Sequence, residues 1–268
     1  MVIAWPSLGR VLRAALQEAL KLELLARNVC DPVSPPKREG SEVEILDADQ
    51  IATVFAAIKG DRLYPIAALA IATGMRRGEL LALQWRDVDL ERGTLSVERS
   101  LEQIGKGLRF KGPKSRHGKR EISLPPSAIE GLRQHRRQQL ELRLQLGVGK
   151  PSDDALVFSD HEGKPISPNN LSTWWRRAIA KLPNVPHVKF HALRHSHASA
   201  LIAAGVDLVK VSRRLGHGSA TITLNVYAHL FNKTDDDAAK AIEAALGGKL
   251  LRRVPSGANR VPISRLVL

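Results

Sequence analysis

Between Thr94 and Leu124 the hydrophobic pattern of this chain changes period. Thr94 to Glu98 and Arg120 to Leu124 alternate apolar and polar residues, and Gly105, Gly107, Gly112 and Gly118 punctuate them. Period two marks strands with one buried face, and the glycines between the runs supply turns. On both sides of this island apolar residues recur every three or four positions, which is helical spacing. The pattern predicts a mainly α fold carrying a small antiparallel β-sheet (α+β) of two or three strands.

The helical segments can be placed by their ends. Leu8, Val11, Leu12, Ala15, Leu16, Ala19 and Leu20 form one stripe of an amphipathic helix over residues 8 to 26, whose apolar face needs a partner surface. Asp31-Pro32 and the run from Ser34 to Lys37 read as a stiff basic linker. Asp47 followed by Gln50 is a variant capping box ahead of Ile51, Val54, Phe55 and Ile58. Tyr64 to Thr73 is apolar nearly all round, the mark of a buried helix, and Gly74 supplies its stop. A long helix with a solvated face is expected from Ile129 to Leu146, and a short apolar strand or turn from Ala155 to Phe158. Ser167-Pro168 opens a helix whose Trp174 and Trp175 read as core. Asp207 caps Leu208 to Leu215 between Gly205 and Gly216, and Ser219 caps the helix carrying Tyr227. Thr234 with Asp235, Asp236 and Asp237 opens a last helix ending at Gly247-Gly248.

Charge narrows the class of partner. Lys and Arg number 41 against 27 Asp and Glu in 268 residues, a net charge of +14, with an isoelectric point near 10.3. Such a balance points to a polyanion, and to nucleic acid first. No run of eighteen apolar residues and no secretory leader argues for a membrane surface. One cysteine, Cys30, leaves no internal disulfide and fits a cytoplasmic location.

The polar residues from His191 to Tyr227 ask for chemistry. His191 and Arg194 stand three apart and His191 and His195 four apart, so one helical face can carry all three. The histidine pair has the spacing of a zinc helix, but Ala192 stands where a metalloprotease needs Glu, and Arg194 would repel a dication. Tyr227 reads either as packing or, beside Arg and His, as a phosphate-attacking nucleophile.

These motifs, H-A-L-R-H at 191 to 195, L-G-H at 215 to 217, and Tyr227, resemble the signature of the tyrosine recombinases, the phage integrase family. T-G-M-R-R-G-E at 73 to 79 resembles the family's first arginine motif, and Pro113 to Pro125 resembles its lysine hairpin. The resemblance implies catalytic roles for Arg76, Lys114, His191, Arg194, His217 and the nucleophile Tyr227, with Lys111 as the alternative to Lys114. Glu79 would buttress Arg76, His195 would support the site, and Lys111, Arg116, Lys119 and Arg120 are candidates for DNA contact.

It implies further that DNA is cut and rejoined through a 3′-phosphotyrosine link, with His191 helping remove the tyrosine's proton, and with no metal or other cofactor. The implied partners are double-stranded DNA at specific attachment sites, a homotetramer on that DNA, and an accessory DNA-bending protein. Residues 1–36 would be a remnant helix of a core-binding domain plus linker, 41–246 the catalytic domain, and 247–268 a tail. Three other readings stay open: a truncated integrase that binds DNA without recombining, a type IB topoisomerase, and a non-enzymatic basic DNA-binding module. The last explains the charge but not the ordered residues.

Overall fold

The computed structural model describes residues 5–33, 44–105, 107–112, 118–228, 240 and 242–244. The chain divides into two compact units, Met1–Val43 and Glu44–Leu268. In the first unit α1 spans Trp5–Lys21, ending earlier than the apolar stripe predicts because the chain turns at Glu23, a left-handed residue with φ 59°. The Arg13 guanidinium bonds the carbonyls of Cys30 and Val33, and Asn28 donates to the Arg13 carbonyl at 3.1 Å, which folds the following segment back along the helix. Leu8, Val11 and Leu12 remain exposed.

The second unit is built from helices α2 (Ala48–Ala57), α3 (Leu63–Thr73), α4 (Arg77–Leu81), α5 (Pro126–Gln145), α6 (Pro168–Ile179), α7 (Ala192–Ala203), α8 (Leu208–Leu215) and α9 (Ala220–Tyr227). Its strands are β1 (Val88–Asp89), β2 (Thr94–Val97), β3 (Ser100–Ile104), β4 (Gly107–Lys111) and β5 (Arg120–Ser123). The strands form two antiparallel sheets rather than one, β1-β2-β5 and β3-β4. In the first sheet Leu95 faces Ile122 and Val97 faces Arg120. Leu95, Val97 and Ile122 are buried there, so the inward face of that sheet meets the helical core.

Local signals account for most element ends. Asp47 accepts the Gln50 N–H at 2.8 Å and Gln50 Oε1 accepts the Asp47 N–H at 3.1 Å, a reciprocal capping box. Residues of α3 are buried around most of its circumference, and it packs against α7. Trp175 is core, its indole N–H donating to the Val188 carbonyl at 2.9 Å. Trp174 is half-buried, with the Arg62 guanidinium over its ring at 4.9 Å. Among the described residues no helix is long and apolar enough to cross a membrane. The expected linker from Ser34 to Lys37, most of the helix expected after Thr234, and the tail 247–268 lie outside the described residues.

Candidate active site

Gly74 ends α3 with φ +66°, and a Cβ there would lie 2.6 Å from Cδ2 of His197. The chain therefore passes tightly beneath α7 before Arg76, whose backbone is extended (φ −70°, ψ 150°) just ahead of α4. Three residues on, Glu79 turns back: its carboxylate accepts the Arg76 N–H at 2.9 Å and Arg76 Nη1 at 2.9 Å. Arg76 Nη2 donates to the Gly216 carbonyl at 2.9 Å. Burial pushes the Glu79 carboxyl up, but the hydrogen bonds and charges of Arg120 and Arg76 outweigh it and hold the group below its ordinary range. Glu79 is thus a fixed anion bonded to both the backbone and the side chain of Arg76.

Helix α7 delivers the second arginine. Arg194 is 4% exposed and donates from Nη1 to the Gly74 carbonyl at 2.7 Å, while its buried Nη2 has no hydrogen-bond partner among the described residues. Burial, with the nearby charge of Arg76, pushes its pKa down to about 9, so it stays charged at neutral pH. A buried guanidinium nitrogen left open near a second arginine is a ready hydrogen-bond donor to an anion.

Two histidines stand one helical turn apart at the start of α7, His191 at its cap and His195 within it. The rings of His191 and His195 meet edge to face at 4.8 Å, and His195 Nδ1 lies 2.8 Å from the Tyr227 hydroxyl. The ring at the hydroxyl is therefore that of His195, whereas the motif comparison gives the tyrosine's proton to His191. The helical step explains the difference, since position 195 lies one turn deeper than position 191, toward α9. Burial, the neighbouring His195 and the surrounding arginines push His191 down to about 4, and His195 is lowered by burial and Arg194.

Gly216 ends α8 in the left-handed conformation, φ +67°, and the turn presents His217. Its Nδ1 lies 2.7 Å from the hydroxyl of the buried Thr223 on α9, and burial beside Arg194, Arg76 and Arg120 pushes its pKa down to about 4. Ser219 caps α9 through the Thr221 N–H at 3.1 Å. Tyr227, at the end of that helix, is 1% exposed, and burial, only partly offset by Arg194, pushes its phenol up to about 12.

The structure thus brings Arg76, His191, Arg194, His195, His217 and Tyr227 to one site with Glu79 behind it. Lys114 and Arg116 lie outside the described residues. Lys111 on β4 pairs with Glu102 of β3, and Lys119 pairs with Glu98 at 2.8 Å. Arg120 departs from the expectation of a DNA-facing hairpin residue: its side chain is 7% exposed and bonded to Glu79 at 2.8 Å. The signal was the strand period, because Arg120 shares the inward face of β5 with Ile122. Thr223 was not singled out from the sequence, and nothing in its local pattern marks it as a partner of His217. Among the described residues no three His, Cys, Asp or Glu side chains are grouped to hold a metal ion.

The profile of the phage integrase family matches residues 44–234. A tyrosine recombinase XerC-like protein of Caldanaerobacter subterraneus subsp. tengcongensis is 33% identical over 253 residues, covering 88% of this chain and 64% of that protein. The ICEBs1 integrase of Bacillus subtilis is 28% identical over 244 residues, covering 90% of this chain and 64% of its own length. The chain therefore spans less than two thirds of the length of these curated relatives. In fold it is similar to the Tn1549 transposon integrase solved with a circular intermediate DNA, with a TM-score of 0.73 at 23% identity over 90% of this chain and 78% of that one. With a match that begins at the first residue of the second compact unit and runs through every described residue of the site, this chain belongs to the phage integrase family.

Proposed function

We propose that this chain cuts and rejoins DNA strands through a covalent 3′-phosphotyrosine at Tyr227, the chemistry of a site-specific tyrosine recombinase. The observation that carries the reading is the open Nη2 of buried Arg194, whose guanidinium lies within electrostatic reach of the Tyr227 phenol and of Arg76. Strand transfer at a phosphodiester is mostly positioning and charge neutralisation. Arg76, Arg194 and His217 hold the non-bridging oxygens of the scissile phosphate. With Thr223 donating to His217 Nδ1, the Nε2 proton of that ring is free to donate to the phosphate.

Tyr227 is protonated at rest, because burial disfavours the phenolate. In the attack its oxygen bonds to phosphorus as its proton passes to His195 Nδ1, with His191 packed against that ring. The bond from phosphorus to the 5′-oxygen breaks, and Lys114 protonates that leaving oxygen to give the 5′-hydroxyl. Attack by a second 5′-hydroxyl reverses these steps and releases the tyrosine. No metal or nucleotide cofactor enters the scheme, since the phosphotyrosine conserves the energy of the broken bond.

Double-stranded DNA with attachment sites is the substrate, and the basic charge of the chain supports it. Assembly as a tetramer, with an accessory DNA-bending protein and in the cytoplasm, belongs to the same proposal. Incubation with supercoiled plasmid at low salt, quenched with detergent, tests it. Relaxed plasmid and protein-linked DNA are expected from the native chain, and neither from Tyr227→Phe, which should still bind DNA. Adducts formed equally by the mutant would sink the assignment, and binding with no adduct from the native chain would favour a DNA-binding form without recombination.

A further inference from the structure

The Arg120 side chain joins parts of the site that come from distant stretches of sequence. It donates from Nη2 to Glu79 Oε2 at 2.8 Å, from Nη1 to Glu79 Oε1 at 3.2 Å, and from Nε to the Arg214 carbonyl at 2.7 Å. The carboxylate it grips is the one that aims Arg76, so a single anion sits between two guanidinium groups. Nη1 also donates to the nearby Gly118 carbonyl at 3.2 Å, and the contact at Arg214 opens the short stretch that runs through Gly216 to His217. A Cβ on Gly216 would lie 2.7 Å from Arg120 Nη1, while the Gly216 carbonyl accepts from Arg76 Nη2 at 2.9 Å. The turn that presents His217 is therefore held between two arginines.

We propose that Arg120 is a positioning residue: by clamping Glu79 and the 214–217 turn together, it sets where Arg76 and His217 meet the phosphate. It does this without touching the anion itself, since it is buried behind them. The residue type fits the task. A guanidinium fans its N–H donors from three nitrogens in a rigid plane, so it can meet the carboxylate on one side and backbone carbonyls on the others, whereas a lysine is a point charge that cannot hold both directions at once. The inference rests on the proposed phosphate site, and its test is chosen so that the two can fail separately.

The test compares Arg120→Lys, Arg120→Gln and Glu79→Gln in the full chain, each verified as folded by its thermal transition. Glu79→Gln removes the clamped charge while keeping the side-chain shape, should the arginine variants be poorly folded. The first readout is calorimetric binding of inorganic phosphate, with Arg76→Ala defining the portion that belongs to this site. Arg120→Lys and Glu79→Gln should each weaken that portion about fivefold or more. The second readout is covalent attachment to supercoiled plasmid, whose rate at saturating DNA should fall about tenfold or more, with the half-saturating plasmid concentration changed by less than about twofold.

Unchanged phosphate affinity in the folded variants would overturn the proposal. So would a raised half-saturation at an unchanged maximal rate, which marks a direct DNA contact, or a native chain with no Arg76-dependent phosphate binding. If the native chain binds phosphate yet forms no adduct, the proposed reaction fails while the phosphate comparison still decides the role of Arg120.

Discussion

The Nδ1 atom of His195 lies 2.8 Å from the hydroxyl of Tyr227, a residue that is 1% exposed. A phenol whose burial pushes its pKa up to about 12 cannot ionise by itself at neutral pH, so the atom beside it decides how it becomes a nucleophile.

His195→Ala should slow covalent attachment by about a hundredfold or more, the usual size of a lost general base. In the native chain the rate should hold steady above the ordinary histidine pKa of about 6.5 and fall in acid as His195 protonates. A single-turnover pH–rate profile would read this, and an unchanged acid limb in the mutant would assign the base elsewhere.

Burial makes the neutral ring the folded form at His197 and His217, whose pKa values are pushed down to about 4. The tautomer at His197 is set by its partners: Nδ1 contacts the Ile71 carbonyl at 2.8 Å and Nε2 accepts from Arg214 at 3.1 Å. Each ring binds a proton more readily unfolded than folded, so its contribution is complete above about pH 6.5 and is lost as the pH falls toward 4. Thermal unfolding should show a plateau near neutrality and a decline that starts near 6.5, earlier than carboxylates alone would give. Replacing His197 with Gln should flatten the upper part of that decline.

Gly74→Ala adds a methyl group 2.6 Å from the His197 ring and 2.9 Å from Leu215, on a left-handed backbone. Strain and overpacking together should cost about 2 kcal/mol or more, visible in urea denaturation as a lower midpoint with an unchanged slope. Because the same turn leads to Arg76, DNA attachment should fall further than the lost stability accounts for.

Asp47→Ala removes one half of the α2 capping box, whose hydrogen bonds run between Asp47 and Gln50, and should cost about 1 kcal/mol. DNA attachment at a temperature well below unfolding should be unaffected, which makes this variant a stability control for the others.

The parts that the sequence made legible depend on neighbours a few positions away. The capping box at Asp47, the stop at Gly74 and the caps at Asp207 and Ser219 all involve groups two to four residues apart, and they appear where the pattern puts them. Alternation from Thr94 to Leu124 foretold strands but not their division into two sheets, because partner choice depends on packing with α4 and α6 rather than on period. Within the site, the motif residues do lie near one another, yet the pairing of His195 with Tyr227 spans 32 positions and follows from how α7 and α9 meet. Arg120 was read as a hairpin charge because its neighbours Lys119 and Arg116 are basic, while its register with Val97 turns it inward.

The most direct measurement is the chemical identity of the DNA-linked residue. Detergent-trapped complexes would be digested with nuclease and protease, and the nucleotide-bearing peptide sequenced by mass spectrometry. The mechanism predicts one modified peptide, carrying a nucleotide on Tyr227 through its 3′-phosphate. A link at any other residue, or through a 5′-phosphate, would contradict it.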